Sequence, residues 1–218
     1  EAVKAVHDSE IALVFVGSSS TAFVRHSNEP STSGEGIDLS DISLTGAQEQ
    51  LIRSVCATGK PVVVVLVAGK PFAIPYIKEK VPAILAQWYA GEQAGNSIAD
   101  ILFGKVNPSG KLPFSFPQST GHLPAYYNYL PTDKGYYKEP GTYTSPGRDY
   151  VFSSPAPLWA FGHGLSYTRF EYVQATTDKT SYQPHDTIRI SVKVKNSGKL
   201  AGKEVVQIYI HDVVSTVM

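Results

Sequence analysis

Three apolar runs constrain this chain more than anything else in it. Ile11-Ala-Leu-Val-Phe-Val16, Pro61-Val-Val-Val-Val-Leu-Val-Ala68 and the stretch Val81 to Gln87 are short, and the first two stop at a glycine, Gly17 and Gly69. A strand with one wet face alternates apolar and polar residues. Runs without that alternation predict strands covered on both faces, as in a parallel sheet. Helical spacing lies between them. Val3 and Val6 recur within residues 2–8, and Ala47, Leu51, Ile52, Val55 and Cys56 share one face of a segment that stops at Gly59. Thr45 and Gln48 have the spacing of a capping box, which predicts a helix start at Thr45. A last helix is predicted over Gln93 to Phe103, with Ala94, Ile98, Ala99 and Leu102 inward and Gly104 as its stop. The fold expected is α/β: a mostly parallel open sheet with helices on both faces.

The pattern changes after Pro117. From Ala125 to Phe161 no single period fits, and aromatics crowd between prolines and glycines: Tyr126, Tyr127, Tyr129, Tyr136, Tyr137, Tyr143, Tyr150, Phe152, Trp159 and Phe161. These rings either glue an irregular segment or line a site for a sugar or another ring-shaped ligand. From Phe170 the pattern is β, in Phe170-Glu-Tyr-Val-Gln, in Thr187-Ile-Arg-Ile-Ser-Val-Lys-Val-Lys, and in Glu204-Val-Val-Gln-Ile-Tyr-Ile, with Asn196-Ser-Gly198 as a turn. Three strands fall short of the roughly seven of a β-sandwich. A truncated antiparallel β-sandwich segment is therefore expected. The division predicted is 1–117 for the α/β domain, 118–168 for an irregular linking segment and 169–218 for the partial β domain.

Charge is balanced, with 19 basic and 19 acidic residues among 218, so no global field points to nucleic acid or an anionic membrane. The single cysteine, Cys56, excludes an internal disulfide and lies on the apolar face of a predicted helix, where a buried inert thiol is expected. No apolar run approaches the roughly 20 residues of a membrane-spanning helix. No signal peptide is evident, and the first residues read as helix interior, as if the chain starts inside a larger protein. No metal or cofactor is expected.

One stretch presents reactive chemistry. Ser33-Gly-Glu-Gly-Ile-Asp38 follows the first strand through a polar run and precedes the helix near Thr45. A carboxylate between two glycines leaves room for another molecule to approach, although the same composition also makes a plain solvated turn. In open parallel sheets ligands gather at the carboxyl ends of the strands, where this loop begins. Glu29, Asp38 and Asp41 are the neighbouring carboxylates, with Asp41 placed to fix the helix entry. Gly17-Ser-Ser-Ser20 also follows a strand, yet it lacks the spacing of either glycine-rich nucleotide loop.

Two further stretches carry a resemblance. Gln87-Trp-Tyr-Ala-Gly-Glu-Gln-Ala-Gly-Asn-Ser-Ile-Ala-Asp-Ile-Leu-Phe-Gly104, continuing to Asn107-Pro-Ser-Gly-Lys-Leu-Pro113, and Phe161-Gly-His-Gly-Leu-Ser-Tyr-Thr168 resemble the carboxyl-terminal half of family 3 glycoside hydrolases, the β-glucosidase and β-xylosidase group. Lys195-Asn-Ser-Gly198 through Ala201 to Tyr209 resembles the start of the fibronectin-III-like domain that follows in many members. The likeness implies a (β/α)8-type barrel, then an α/β sandwich, then the fibronectin-like module, with the nucleophilic aspartate on a barrel absent from these residues. It places the acid/base role of the Ser-Gly-Glu-Gly motif on Glu35, with Glu29 as rival, and leaves substrate-binding residues unassigned. His163 stands where many members have tyrosine, and a packing role is expected there.

The activity implied is hydrolysis of terminal non-reducing β-D-glucosyl residues from a β-linked oligosaccharide or aryl β-glycoside by a retaining mechanism. The fragment by itself is expected to be inactive. The alternative is a non-catalytic sugar-binding or interaction module using the aromatic segment. Further expectations are docking on the missing barrel, a possible homo-oligomer through uncovered apolar surface, and a periplasmic or secreted location rather than a cytoplasmic one.

Overall fold

In the computed structural model, residues 1–20, 31–33, 38–128, 144, 153–154, 156–211 and 214 are described. The apolar runs become β1 (Ala12–Gly17), β2 (Val62–Val67) and β3 (Ala83–Ala86), preceded by α1 (Ala2–His7). The strands are parallel in the order β1-β2-β3. Ala12 lies opposite Val62 and Gly17 opposite Val67, while Val63 to Leu66 pair with Ala83 to Ala86. Parallel pairing puts all three carboxyl ends on one edge. It also requires the chain to travel back between β2 and β3. That return contains α3 (Pro75–Lys80), which the sequence reading passed over; it opens on a proline, whose missing N–H costs nothing in a first helical turn, and buries Ile77 completely.

α2 (Gln48–Cys56) starts later than the capping-box spacing predicts. Gly46 has φ +63°, a left-handed conformation that a helix cannot contain, so the helix begins only after this turn. The first helical residue, Gln48, is turned to another use, described below. Ile52 and Val55 of α2 join Val6 of α1, Ala12, Val14 and Val16 of β1, Val64 and Leu66 of β2, and Phe72, Ile74 and Ile77 in one core cluster. Phe72, Ile74, Ile77, Val64 and Ile52 have no exposed surface.

β1 departs from the expected two-sided cover. Ala12, Val14 and Val16 are buried, but Leu13 and Phe15 are 46% and 53% exposed. α1 and α2 cover one face of the strand, and the other keeps its apolar side chains in the open. Cys56 is half-buried rather than buried; desolvation raises its thiol pKa against an opposing hydrogen bond with Tyr76.

Contacts divide the chain into two compact units, one of Glu1–Gly95, Leu112–His163 and His211–Met218, the other of Asn96–Lys111 and Gly164–Ile210. The first contains the sheet. In it Phe116 and Trp159 form an antiparallel bridge, Leu112 N–H donates to His163 O at 2.8 Å, and Gly162 N–H donates to Leu112 O at 2.7 Å. The second contains most of α4 (Ala94–Leu102), and β4 (Phe170–Thr177) paired antiparallel with β5 (Ile190–Asn196). Alternation there predicted a buried face and a third strand over Glu204 to Ile210. Seven of the eight β4 residues are exposed, and residues 204–210 form no strand. Glu204 instead ends in a half-buried cluster, 3.4 Å from Lys111 Nζ and accepting a hydrogen bond from the Tyr172 hydroxyl at 3.0 Å.

Candidate active site

The carboxyl edge of the sheet is held by a small set of polar groups. Gly17 ends β1 so close to β2 that a Cβ there would lie 1.6 Å from Val67 O. Glycine is thus the residue that lets this strand end approach its neighbour. The Gln48 side chain reads both backbone groups of Gly17: its Oε1 accepts from Gly17 N–H at 2.7 Å and its Nε2 donates to Gly17 O at 3.0 Å. The same Nε2 reaches Thr45 O at 3.1 Å. The glutamine chosen as a helix cap therefore ties α2 to the end of β1.

Two residues past the end of β3 stands Trp88, whose φ of +59° is rare for a residue with a side chain and costs on the order of 1–2 kcal/mol. Its ring is clamped by Phe114 at 5.2 Å, edge to face, and by Phe116 at 6.1 Å. The sharp turn at Trp88 carries Tyr89 back across β2, where its ring sits 2.8 Å from the position a Cβ on Gly69 would take. Tyr89 donates to Ser18 O at 3.1 Å and shares a 2.7 Å bond with Ser18 Oγ, which in turn accepts from Gly69 N–H at 3.4 Å. All three strand ends are thereby linked.

From this edge the loop departs and returns. Ser18 N–H donates to Val67 O at 3.0 Å. Ser19 N–H donates to Thr32 Oγ1 at 2.9 Å, while the N–H groups of Thr32 and Ser33 both donate to Ser19 O, at 2.9 and 3.1 Å. Thr32 is 7% exposed. These bonds also occupy the N–H groups of Ser18 and Ser19 that a phosphate cradle would need, which removes the footing of a nucleotide loop at residues 17–20.

Glu35 and its rival Glu29 lie outside the described residues. Ser33, two residues before Glu35, and Asp38, three after it, are described. Asp38 is exposed, and its charge acts on Lys70, just past β2. Burial lowers the pKa of the Lys70 ammonium, and Asp38 works against that shift. Asp41 closes a turn on itself, accepting from Ser43 N–H at 2.8 Å and Ser43 Oγ at 2.9 Å, which holds its pKa below the usual carboxylate value. It fixes the approach to α2, as the sequence reading expected. Six rings of the aromatic segment, Tyr129, Tyr136, Tyr137, Tyr143, Tyr150 and Phe152, also fall outside the described residues. Trp159 packs edge to face on Phe116 at 5.5 Å, while Tyr127 stacks on Phe161 at 4.7 Å.

The groups that sequence reasoning missed are Thr32, Gln48, Lys70 and Tyr89. Their signals were weak: Thr32 precedes the Ser-Gly-Glu-Gly run by one residue, and Tyr89 sits inside a motif quoted only for its likeness.

A three-stranded parallel sheet with helices packed against it, its carboxyl ends tied together by polar groups, defines the class of an α/β domain. The profile of the glycosyl hydrolase family 3 C-terminal domain matches residues 1–167, and the chain belongs to that family. It is 41% identical to a β-xylosidase of Formosa agariphila over 97% of its length, and 39% identical to a periplasmic β-glucosidase of Salmonella typhimurium over 99%. It covers 27% of each, so it spans about a quarter of these relatives. Among solved structures it is similar to the Listeria innocua β-glucosidase in complex with glucose, with a TM-score of 0.76 and 34% identity over 98% of this chain and 28% of that one. These relatives are glycoside hydrolases.

Proposed function

We propose that this chain is the carboxyl-terminal part of a retaining β-glycosidase, most specifically a β-glucosidase, in which Glu35 is the general acid/base. The observation that supports the reading is the anchoring of Ser33 through Ser19 O at 3.1 Å, at the carboxyl edge where parallel sheets present their ligand-binding loops. A retaining enzyme uses two carboxyl groups about 5 Å apart, one attacking the anomeric carbon and one protonating the departing oxygen. The nucleophilic aspartate belongs to a barrel domain outside these residues. Glu35 starts near a pKa of about 4.3, and the acid step needs it raised by burial or by the partner carboxylate, both supplied on docking. The division into an α/β domain over 1–117, a linking segment over 118–168 and part of a fibronectin-like module over 169–218 belongs to the same proposal. So does a periplasmic or secreted location, which the name of the Salmonella relative supports.

The test is Glu35→Gln in the full-length enzyme. Turnover of an alkyl β-glucoside is expected to fall by about 10²–10⁴-fold, the usual span of general acid catalysis. Wild-type rates in the variant would defeat the assignment. The isolated 1–218 chain is expected to show no turnover.

A second reading, sugar binding without catalysis, rests on Tyr126 and Tyr127, 64% and 61% exposed, with Tyr127 stacked on Phe161. Calorimetric titration of the chain with glucose and xylose separates the two: heat of binding lost in Tyr127→Ala favours the second.

A further inference from the structure

Glu35 stands between Gly34 and Gly36, so its own neighbours do nothing to aim it. Glycine on both sides gives the backbone its widest range of conformations. Proton donation requires the opposite, since a misplacement of about 1 Å can cost two orders of magnitude. The orientation must therefore come from the anchors of the loop.

The strongest anchor is a clasp between two residues thirteen apart. Ser19 and Thr32 exchange bonds in both directions, Ser19 N–H to Thr32 Oγ1 at 2.9 Å and Thr32 N–H to Ser19 O at 2.9 Å, and Ser33 N–H adds a third at 3.1 Å. Thr32 is one of three buried polar residues among those described, with Ser115 and His122. The clasp is itself seated: Ser18 is bonded to Val67 of β2 and to Tyr89 beyond β3, and Gly17 is gripped by Gln48. On the far side, Asp38 ends the glycine-rich run beside the charge of Lys70.

We infer that Thr32 is a positioning residue for the proton-donating step: its hydroxyl locks the loop root at Ser19, immediately ahead of the Ser-Gly-Glu-Gly run. This inference rests on Glu35 being the acid/base, and extends that reading to the device that aims it. Thr32 stands three residues before Glu35 in the chain. Its loss acts through Glu35, and so has a signature that simple destabilisation lacks. Glycosidic bonds to acidic leaving groups, such as 2,4-dinitrophenol, break without a proton donor. Bonds to alkyl or sugar alcohols need one.

The experiment compares full-length wild type, Thr32→Val, Thr32→Ser and Glu35→Gln on a 2,4-dinitrophenyl β-glucoside and an alkyl β-glucoside. Valine keeps the shape and removes the acceptor, leaving Ser19 N–H without its partner. Thr32→Val is expected to lose about 10–100-fold in kcat/KM on the alkyl glucoside and less than about 3-fold on the dinitrophenyl one. Thr32→Ser, which restores the hydroxyl, is expected to stay within about 3-fold of wild type on both. Equal losses on both substrates, or none, overturn the inference. If Glu35→Gln is selective while Thr32→Val is not, the clasp fails and the acid/base reading stands. If Glu35→Gln shows no selectivity, the underlying reading fails. Should Thr32→Val not fold, Tyr89→Phe carries the test: it removes the phenol that braces Ser18 at a 49% exposed site. A milder selectivity in the same direction is expected, and a flat profile overturns the inference.

Discussion

The parallel sheet and the β4–β5 hairpin are both built on β-branched and aromatic residues, unbroken in one and interleaved with polar residues in the other, and their burial differs sharply. β2 buries Val64, Val65 and Leu66 to 1% exposure or less, whereas Tyr172 and Val173 of β4 are 53% and 54% exposed. The difference lies in what each strand meets. β2 has a strand on either side and helices packed with it into one cluster, while β4 and β5 have each other. Strand pairing satisfies the backbone but does little to remove side chains from water, and two-stranded hairpins are marginal in isolation for that reason. Apolar pattern decides where strands form; the neighbours a strand has decide how much stability the pattern yields.

The largest expected effect tests the closeness of the parallel strands. Gly17→Val puts a branched side chain where even a Cβ would lie 1.6 Å from Val67 O. β1 and β2 cannot remain in register at their carboxyl ends, and a loss of more than about 4 kcal/mol is expected, a value reached only by severe core disruption. Both tryptophans, Trp88 and Trp159, belong to the first unit, so their fluorescence in a urea titration reads this unit directly. A midpoint within error of wild type would show that the close approach is not needed.

Next comes the contrast itself. Phe72 has no exposed surface, and Phe72→Ala should cost about 3–5 kcal/mol. Tyr172→Ala, in the hairpin, should stay within about 0.5 kcal/mol, apart from loss of its bond to Glu204. Amide exchange across β4 and β5 checks the second, fluorescence the first. Comparable losses would break the distinction drawn between the two sheets.

Much of this was legible in the sequence, and the failures share a cause. Unalternating runs located β1, β2 and β3 because they are short and strongly apolar, the first two also bounded by glycine. They overstated the cover on β1, since Leu13 and Phe15 declare what a strand tolerates on its outer face rather than what is there. The third β run failed likewise: Val205, Val206 and Ile208 read as a strand, but a strand requires a partner, and pattern does not reveal whether one is present. α3 was missed because six residues hold fewer than two turns, too short for a period. The start of the polar loop after β1 was legible, while Gly34-Glu-Gly36 lies outside the described residues. The clasp at the loop's root was not legible, because Ser19 and Thr32 meet only after the chain between them has closed, and hydroxyl residues in polar loops are common.

The smallest effect concerns pH, and it separates the two regions by where acid acts. His122 is 7% exposed, with Nε2 3.0 Å from Ser153 Oγ, and burial lowers its pKa below the ordinary histidine value of 6.5. The folded state thus favours the neutral ring. Its contribution is full above the unfolded pKa near 6.5 and is lost as pH falls through the lower folded value. In the hairpin connection, Asp186 is held below 3.8 by Gln183 N–H and the Lys179 ammonium, and Asp178 by the Tyr182 hydroxyl and Arg189 N–H. Depressed carboxylates contribute above their unfolded pKa and lose that contribution as pH falls further. The first unit should therefore weaken as pH falls below about 6.5, before the carboxylates of the hairpin connection begin to protonate. His122→Gln should flatten the fluorescence-detected Tm across that interval and leave the exchange rates of β4 and β5 unchanged. A Tm that still falls below pH 6.5 in the variant would move the cause to another group.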